Sequence, residues 1–350
     1  MPQGRDPTGR HGGALPVPGI GRRTHGHGPG ADRRRGDALT SVPAFAAVDW
    51  GTSSFRLWLV SDDGAVVGER RSGDGMTTAR EKGFAATLDA HLAALDAPAG
   101  LPAVVCGMAG ARQGWVEANY LDVPASLDDI VSRAVTPHDT DRRVFILPGL
   151  AQRLRERADV IRGEETQLMG AANRPGTDAG LYCMPGTHSK WVRLENGKVS
   201  GFSTFMTGEL FDLIARRSIL AHSVGEADTD PDAPSFAEAV RTGHDQVERL
   251  TGSLFSIRGS QLLFGDPPER AAARLSGMLI GAELAGSGCK NGTIPIRLIA
   301  SGKLAALYRA AFAALSVAVE AIDADEAVRQ GLIRAARSLG LADARKGQPA

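Results

Sequence analysis

The sequence has no excess of either charge, since 40 Lys and Arg residues balance 40 Asp and Glu residues among 350. A chain without net charge has no long-range attraction for nucleic acid or for anionic membranes, and we expect neither as a partner. The sequence also has no run of roughly 18 apolar residues, which a membrane-spanning helix would need. A small molecule is therefore the expected ligand.

Cysteine is scarce as well. The three cysteines lie far apart in apolar or Gly-rich segments, at Cys106, Cys183 and Cys289. We expect buried free thiols in a reducing cytoplasm rather than disulfides or metal ligands. Apolar periodicity is missing from residues 1–42, which are rich in Gly, Pro, Arg and His and are predicted to form a disordered tail.

The sequence does contain a short unit that occurs twice, over residues 46–70 and 180–205. Each copy has an apolar run, a Gly-hydroxyl turn, a second strand-like run, a tight turn and a third run. The first turns, at Gly51 and Gly186, are 135 positions apart, and the second turns keep nearly the same offset. We interpret each copy as a three-stranded meander.

The first turn of each copy, residues 51–54 and 185–190, brings backbone amides and hydroxyls toward one point, and Lys190 adds an ammonium group. Such a concentration of donors suits phosphate. One Gly-Thr turn alone is more often an ordinary hairpin bend, but its repetition favours a functional role. The length and apolar content favour two domains, so we expect two similar domains whose loops hold one polyphosphate across a cleft.

The rest of the chain alternates predicted strands and helices. Further strands are predicted over residues 103–106, 144–147, 296–300 and 317–322. Helices are predicted over residues 79–95, 161–170, 206–214, 236–250, 268–285, 304–314 and 325–339. Residues 107–115 follow the strand at 103–106, at the end where ligands of open α/β sheets bind. The Thr-x-Glu sequence from Thr207 to Glu209 predicts a capped helix start.

These motifs resemble the sugar kinases of the hexokinase/actin/Hsp70 superfamily. Four segments are more narrowly similar to the 2-dehydro-3-deoxygalactonokinase family, namely residues 48–56, 107–120, 162–170 and 185–213. The resemblance implies an α/β fold of two duplicated ribonuclease H-like (actin-like ATPase) domains around a central cleft. The implied domains cover residues 43–163 and 164–340, the second with helical insertions, and residues 341–350 form a tail.

The resemblance also implies ATP-dependent, Mg²⁺-assisted phosphorylation of the 6-hydroxyl of 2-dehydro-3-deoxy-D-galactonate. The partner would be this small sugar acid, and a homo-oligomer is one expectation for the assembly. A kinase for another sugar acid, such as 2-dehydro-3-deoxygluconate, stays open. A non-catalytic sugar sensor is less favoured, because residues 1–42 have no helix pair that could bind DNA.

Phosphoryl transfer needs a phosphate cradle, a divalent metal and a carboxylate near the attacking hydroxyl. The predicted cradle consists of Gly51, Thr52, Ser53, Gly186, Thr187 and Ser189. Asp49 suits a water-mediated Mg²⁺ partner, because Mg²⁺ keeps several waters and takes few protein carboxylates. Lys190 is predicted to neutralise phosphate charge, although a solvated strand lysine is the alternative. The loop at Ser301 and Gly302 could contact the nucleotide or simply cap a helix.

For the base we predict Glu164, with Glu165 as the second choice. In related carbohydrate kinases a Gly-Asp pair precedes the second phosphate strand, and Gly163-Glu164 resembles it with one extra methylene. Two acidic residues in a first helical turn could equally compensate the helix dipole. Asp62 and Asp63 are poor rivals, because Asp is expected in a turn for backbone reasons.

The substrate carboxylate calls for a planar guanidinium, for which Arg112 is the first candidate and Arg56 the second. Without the resemblance, a surface arginine would be an equally good interpretation. We expect His188 to be a hydrogen-bonding loop residue rather than a catalyst. The predicted contacts to sugar hydroxyls are Gln113, Thr207 and Glu209, and the predicted wall is Trp115 or Phe211.

Overall fold

The computed structural model describes residues 42–289 and 294–342, where the chain forms fourteen strands and eleven α-helices. The strands are β1 Pro43–Trp50, β2 Phe55–Ser61, β3 Val66–Ser72, β4 Ala103–Gly107, β5 Leu121–Asp122, β6 Ala125–Ser126, β7 Val144–Ile146, β8 Leu150–Gln152, β9 Asp159–Ile161, β10 Gly180–Met184, β11 Ser189–Glu195, β12 Lys198–Phe205, β13 Ile296–Ile299 and β14 Glu320–Ile322. The helices are α1 Met76–Lys82, α2 Phe84–Ala93, α3 Leu127–Ser132, α4 Glu164–Ala171, α5 Thr207–Arg217, α6 Ala221–Val224, α7 Pro234–Asp245, α8 Leu250–Phe264, α9 Pro268–Ser287, α10 Gly302–Ala314 and α11 Ala324–Ser338. Nearly all of the two predicted tails lies outside the described residues.

Two sheets carry the same strand order. The first is β3-β2-β1-β4-β7, and the second contains β12-β11-β10-β13-β14. In each, an antiparallel meander is followed by two strands that run parallel to its first strand. The predicted duplication is confirmed, and it extends beyond the meander to the following parallel strands. The fold is the predicted duplicated α/β architecture.

Helices α4 and α11 lie between the two sheets in a shared apolar core with side chains such as Ala47, Val104 and Tyr182. They cross in backbone contact at Gly170 and Gly331. A Cβ atom on Gly170 would lie 1.9 Å from the Ala327 carbonyl oxygen, so no larger residue fits there. This crossing fixes the position of the first turn of α4, where Glu164 and Glu165 lie.

Some elements differ from the sequence prediction. The helix predicted over residues 79–95 is divided into α1 and α2 at Gly83, whose φ of 89° does not continue a helix. The strand predicted from residue 317 begins only at Glu320. The predicted side-chain cap of α5 is wrong, because the helix begins at Thr207 without a capping hydrogen bond.

Short strands add to the duplicated sheets. β6 pairs with β12 at the edge of the second sheet, and β5, β8 and β9 form a separate three-stranded sheet. All three cysteines are buried, as predicted, and Cys106 and Cys183 are free thiols. Over the described ranges, no helix combines the length and apolar character needed to span a bilayer. The domain boundary at residue 163 stays a prediction.

Candidate active site

The first Gly-hydroxyl loop connects β1 to β2 and is held by hydrogen bonds from the start of α1. The Gly51 N–H donates to the Ser54 carbonyl over 2.8 Å, which closes the turn. The N–H groups of Met76 and Thr77 donate to the carbonyls of Gly51 and Thr52 over 2.9 and 3.1 Å. The loop backbone is therefore fixed while the side chain of Thr52 stays exposed.

The second loop, between β10 and β11, is supported in the same way by α5. The Glu209 N–H donates to the Thr187 carbonyl over 3.0 Å. A Cβ atom on Gly208 would lie 2.4 Å from the Gly186 carbonyl oxygen, so the helix start and the loop are in backbone contact. Thr187 and His188 are exposed, and the His188 ring lies 2.6 Å from the Glu209 carboxylate. This contact agrees with the hydrogen-bonding role expected of His188.

Ser189 differs from the rest of the predicted cradle. It is fully buried, and its hydroxyl lies 2.9 Å from the Tyr308 hydroxyl. Its side chain therefore supports the loop from the protein interior and does not face solvent.

Asp49 ends β1 beside two close backbone neighbours. A Cβ atom on Gly107, at the end of β4, would lie 3.4 Å from Asp49 Oδ1, and one on Gly163 would lie 3.5 Å from Gly107 Cα. The ends of β1 and β4 thus meet the segment that leads into α4. The Asp49 carboxylate is ion-paired with Arg56, which also pairs with Asp325 of α11. Arg56 is therefore already occupied by two carboxylates.

Glu164 and Lys190 connect the α4 segment to the second loop. The Lys190 ammonium lies 3.5 Å from Glu164 Oε1 and donates to the His188 carbonyl over 3.1 Å. Only 8% of the Lys190 side chain is exposed, which rules out the solvated lysine considered above. The Arg162 N–H donates to Glu164 Oε2 over 3.0 Å. With 25% of its side chain exposed, Glu164 can be reached by a ligand.

Glu165, in contrast, is fully buried. Its carboxylate accepts from the Gly163 N–H over 2.7 Å and from the Thr166 hydroxyl over 3.1 Å. Burial, together with the nearby charge of Glu164, raises the pKa of Glu165 to about 7. Burial also raises the pKa of the Cys106 thiol, whose sulfur lies 3.8 Å from Asp49 Oδ1. Glu164 and Glu165 are adjacent in the sequence, but only Glu164 is accessible to a ligand.

The loop after β4 carries Arg112 and Gln113, both exposed. Trp115 donates to Asp139 over 2.6 Å and stacks on Phe84, so its ring belongs partly to the core. Arg162 holds the end of this loop, since its Nη2 donates to the Ala118 carbonyl over 2.8 Å. The loop is thus anchored to the segment that also positions Glu164.

A pocket of about 220 Å³ lies beside the second loop. Its walls are mostly apolar and include Gly186, Thr207, Phe211, Leu304, Leu307 and Tyr308. Phe211, predicted as a possible wall for the sugar, therefore faces this pocket. Two larger depressions, of about 790 and 620 Å³, are lined by none of the predicted site residues.

Ser301 and Gly302 lie next to this pocket at the start of α10. The Ser301 hydroxyl donates to Asp323 over 2.6 Å and accepts from the Ala324 N–H over 2.9 Å. Its side chain is therefore engaged at the start of α11, whereas the adjoining Lys303 and Leu304 line the pocket.

No three His, Cys, Asp or Glu side chains within residues 42–289 and 294–342 are grouped to hold a metal by themselves. This donor set fits Mg²⁺ held through water and phosphate oxygens, because Mg²⁺ commonly needs only one or two protein carboxylates. Asp49 is partly exposed and paired with a guanidinium, which suits an outer position better than direct coordination.

The family model described as 2-keto-3-deoxy-galactonokinase matches residues 49–335. The chain belongs to this family. It is 55% identical over 303 residues to the Rhizobium meliloti (strain 1021) protein named "Probable 2-dehydro-3-deoxygalactonokinase DgoK1", covering 86% of this chain and 99% of that protein. The Escherichia coli (strain K12) 2-dehydro-3-deoxygalactonokinase is 35% identical over 289 residues, covering 82% of this chain and 96% of that enzyme.

A solved structure of the family has the same fold. The crystal structure of a Sinorhizobium meliloti protein assigned by name to the 2-dehydro-3-deoxygalactonokinases superimposes with a TM-score of 0.82 at 56% identity. The match covers 84% of this chain and 99% of that protein. All predicted site residues lie within the range matched by the family.

The sequence prediction did not identify Arg162 or Asp325 as residues that organise the site. It also missed the buried Glu283, whose carboxylate accepts from Trp191 and Tyr308 over 2.8 and 2.7 Å. Arg162 and Asp325 act through contacts with distant segments, and Glu283 lies in a helix whose other residues are mostly apolar or small. Only Arg162 had a sequence signal, because it adjoins the predicted base segment.

Proposed function

We propose that the chain transfers the γ-phosphoryl group of ATP to the 6-hydroxyl of 2-dehydro-3-deoxy-D-galactonate. Family membership makes it a carbohydrate kinase. The observation that supports the chemistry most strongly is the convergence of Glu164, Lys190 and the second Gly-hydroxyl loop. A reachable carboxylate lies there beside an ammonium group and backbone donors, which is what phosphoryl transfer needs.

In the proposed reaction the 6-hydroxyl oxygen forms a bond to the γ-phosphorus, and the bond from that phosphorus to the β,γ-bridging oxygen breaks. Glu164 accepts the hydroxyl proton and then releases it to solvent. Lys190 neutralises charge on the transferred group, and Thr52, Ser53 and Thr187 hold phosphate oxygens together with loop N–H groups. Mg²⁺, when bound with ATP, neutralises phosphate charge, and Asp49 would hold it through water.

Access favours Glu164 over Glu165 as the base. A general base must come within hydrogen-bond reach of the proton that it removes. Both carboxylates have partners in the protein, but Glu164 is partly exposed, whereas Glu165 is fully buried and out of reach of a ligand. Glu165 is therefore assigned a supporting position beneath the loop before α4.

The apolar pocket beside the second loop suits the nucleotide base. A planar, weakly polar base gains from burial against Leu and aromatic walls, and the adjacent Gly186 leads directly to the phosphates. The start of α10, at Lys303 and Leu304, forms one side of this pocket. Ser301 is assigned a structural position, because its hydroxyl is engaged by α11.

For the substrate carboxylate, Arg112 is favoured over Arg56. Arg112 is exposed on the loop after β4, whereas Arg56 is held by Asp49 and Asp325. Gln113 and Glu209 remain candidates for sugar hydroxyls. Thr207 is mostly buried and contacts Glu283, so a structural position suits it better.

The test is ADP release from MgATP in the presence of a panel of sugar acids, with the product mass determined. We expect 2-dehydro-3-deoxygalactonate to be turned over well above its epimer 2-dehydro-3-deoxygluconate, giving the 6-phosphate. Equal turnover of the two acids would contradict the assignment of 2-dehydro-3-deoxygalactonate as the preferred substrate. No turnover of any sugar acid would contradict the proposed kinase function. Arg112→Gln should raise the KM of the sugar acid without changing the KM of ATP.

The cytoplasmic location and a homo-oligomeric assembly are further proposals. Buried thiols such as those of Cys106 and Cys183 suit a reducing compartment. Cell fractionation tests the location, and light scattering of the purified protein tests the assembly.

A further inference from the structure

Glu283 is a buried carboxylate that the proposed reaction does not use. It lies on α9 with only 2% of its surface exposed, beside the apolar cluster that contains Cys183, Trp191 and Phe312. Among the described residues, no Lys, Arg or His forms an ion pair with it. Burial raises the pKa of this carboxyl group, while its hydrogen bonds act in the opposite direction.

Two side chains donate hydrogen bonds to the carboxylate. Trp191 Nε1–H donates to Oε1 over 2.8 Å, and the Tyr308 hydroxyl donates to Oε2 over 2.7 Å. Because Tyr308 uses its only proton in this way, the Ser189 hydroxyl 2.9 Å away donates to the Tyr308 oxygen. The Thr207 hydroxyl also favours the charged form of Glu283, and Ser189 joins the network through Tyr308.

These partners belong to three of the segments around the 220 Å³ pocket, which is also lined by α9 and by residues 227–229. Ser189 follows the second Gly-hydroxyl loop, Thr207 begins α5, and Tyr308 lies on α10. Thr207 and Tyr308 themselves line the pocket, as does Gly186 of the loop. A single carboxylate on α9 therefore connects three of the segments that form the pocket, namely the second loop, α5 and α10.

Stability alone does not explain a carboxylate at this position. A buried charge without a cation loses its hydration, and well-packed apolar residues in place of buried charges are often as stable or more stable. The network does, however, impose directed bonds of fixed length between the loop, α5 and α10. Such bonds fix the relative positions of these three segments more closely than apolar contacts would.

We propose that Glu283 is a positioning residue for the nucleotide, which holds the second loop, α5 and α10 in the arrangement that binds it. This inference rests on the proposed function, which assigns the nucleotide base to the pocket. Glu283 touches neither nucleotide nor sugar acid. Its removal should therefore weaken nucleotide binding while leaving the affinity for the sugar acid unchanged.

The test compares MgADP binding by calorimetry in five proteins: wild type, Glu283→Gln, Tyr308→Phe, the double variant with both changes, and Leu284→Ala. Glu283→Gln should weaken MgADP binding about tenfold, because hydrogen bonds to a charged group are replaced by neutral ones. Tyr308→Phe keeps the aromatic wall but removes the hydroxyl, and it should act in the same direction. The double variant should be no weaker than Glu283→Gln alone, since both changes break one network.

Leu284→Ala is the matched control. Leu284 is the next residue on α9, is fully buried and packs in the same apolar cluster. This variant should lower the melting temperature but keep the MgADP affinity. The KM of the sugar acid should stay within about twofold of wild type in Glu283→Gln, since the broken bonds lie on the nucleotide side.

The outcomes separate the two proposals. If wild type fails to bind MgADP, the proposed function is wrong. If wild type binds and Glu283→Gln binds equally well, or if Leu284→Ala weakens binding as much, the positioning role is wrong. Should Glu283→Gln fail to fold, Tyr308→Phe alone decides, and unchanged MgADP affinity in that variant would overturn the inference.

Discussion

The two sheets share one strand order, but their Gly-hydroxyl loops are supported by different side chains. In the first sheet, the strand pair at the base of the loop places Asp49 opposite Arg56, and these two residues form an ion pair. In the second, the corresponding pair places Met184 opposite Lys190. Lys190 instead lies beside Glu164, the first residue of α4.

This difference indicates that the two duplicated halves have different roles. Asp49 beside the first loop and Glu164 at the start of α4 carry the carboxylates, which suit metal and proton chemistry. The side of the second loop carries an apolar pocket and the buried Glu283 network, which suit nucleotide binding. The predictions below test whether the chemistry and the nucleotide affinity separate in this way.

The largest effect is expected at Glu164. Glu164→Gln keeps the size of the side chain but cannot accept a proton, so kcat should fall roughly 10²–10⁴-fold. MgADP affinity should remain unchanged, because the second loop and its pocket are intact. Steady-state kinetics and calorimetry measure the two quantities. Glu165→Gln is the matched control and should keep most of its turnover; a dead Glu165→Gln beside an active Glu164→Gln would reverse the assignment.

The second-largest effect is on the free energy of unfolding, and it comes from Glu165 in the first turn of α4. Glu165 has a pKa raised from 4.5 to about 7, so the folded protein holds a proton that the unfolded chain has already lost between these pH values. Stability should therefore fall as pH rises through this window, by about 3 kcal/mol in total.

Glu165→Gln removes this titration. It should be more stable than wild type above pH 7, and the difference should vanish toward pH 4.5. Urea unfolding at pH 5 and pH 8 measures it. An equal difference at both pH values would show that Glu165 does not titrate as described.

A smaller change, in the KM of MgATP, is expected when the glycines that pack against the two loops are substituted. Gly75→Ala would place a Cβ atom 2.5 Å from Ser53 Cα, and Gly208→Ala would place one 2.4 Å from the Gly186 carbonyl oxygen. Each should displace its loop and raise the KM of MgATP about tenfold. Only Gly208→Ala should also weaken adenosine, which has no phosphates, because Gly208 lines the pocket.

Gly73→Ala is the control, since its Cβ atom would meet nothing within 4 Å. Adenosine binding follows from competition against MgATP. Equal weakening of adenosine by Gly75→Ala and Gly208→Ala would contradict the assignment of the base to the second half.

The smallest effect is expected at the pocket mouth. Lys303 and Asp228 form an ion pair of 2.5 Å there, but Asp228 is 95% exposed. Exposed pairs contribute little, so Asp228→Asn should change the KM of MgATP by less than about twofold. A tenfold rise would instead make this pair part of the nucleotide site.

The local parts of the fold could be predicted from the sequence. The duplicated meanders and β4 follow from apolar runs and turn residues that lie close together in the chain. The contact of Gly170 with Ala327 could not, because it joins helices that are far apart in the sequence. The strands β5 and β6, with two residues each, are too short to give a periodic signal.

In the site, too, contacts between residues far apart in the sequence could not be predicted. Asp49 and Glu164 could be proposed from adjacent motifs, whereas the engagement of Arg56 by Asp325 joins positions 269 residues apart. Ser189 belongs to the loop motif, yet strand alternation turns its side chain into the core. Glu283 gave no signal, because its partners come from β11, α5 and α10.

A crystal structure with MgADP and 2-dehydro-3-deoxygalactonate bound together would test the shared use of the two loops most directly. We predict phosphates in contact with both Thr52 and Thr187, the base in the pocket beside Tyr308, and the sugar 6-hydroxyl within roughly 3 Å of Glu164. A nucleotide held by one loop alone, or a sugar acid distant from Glu164, would contradict the proposed division between the halves.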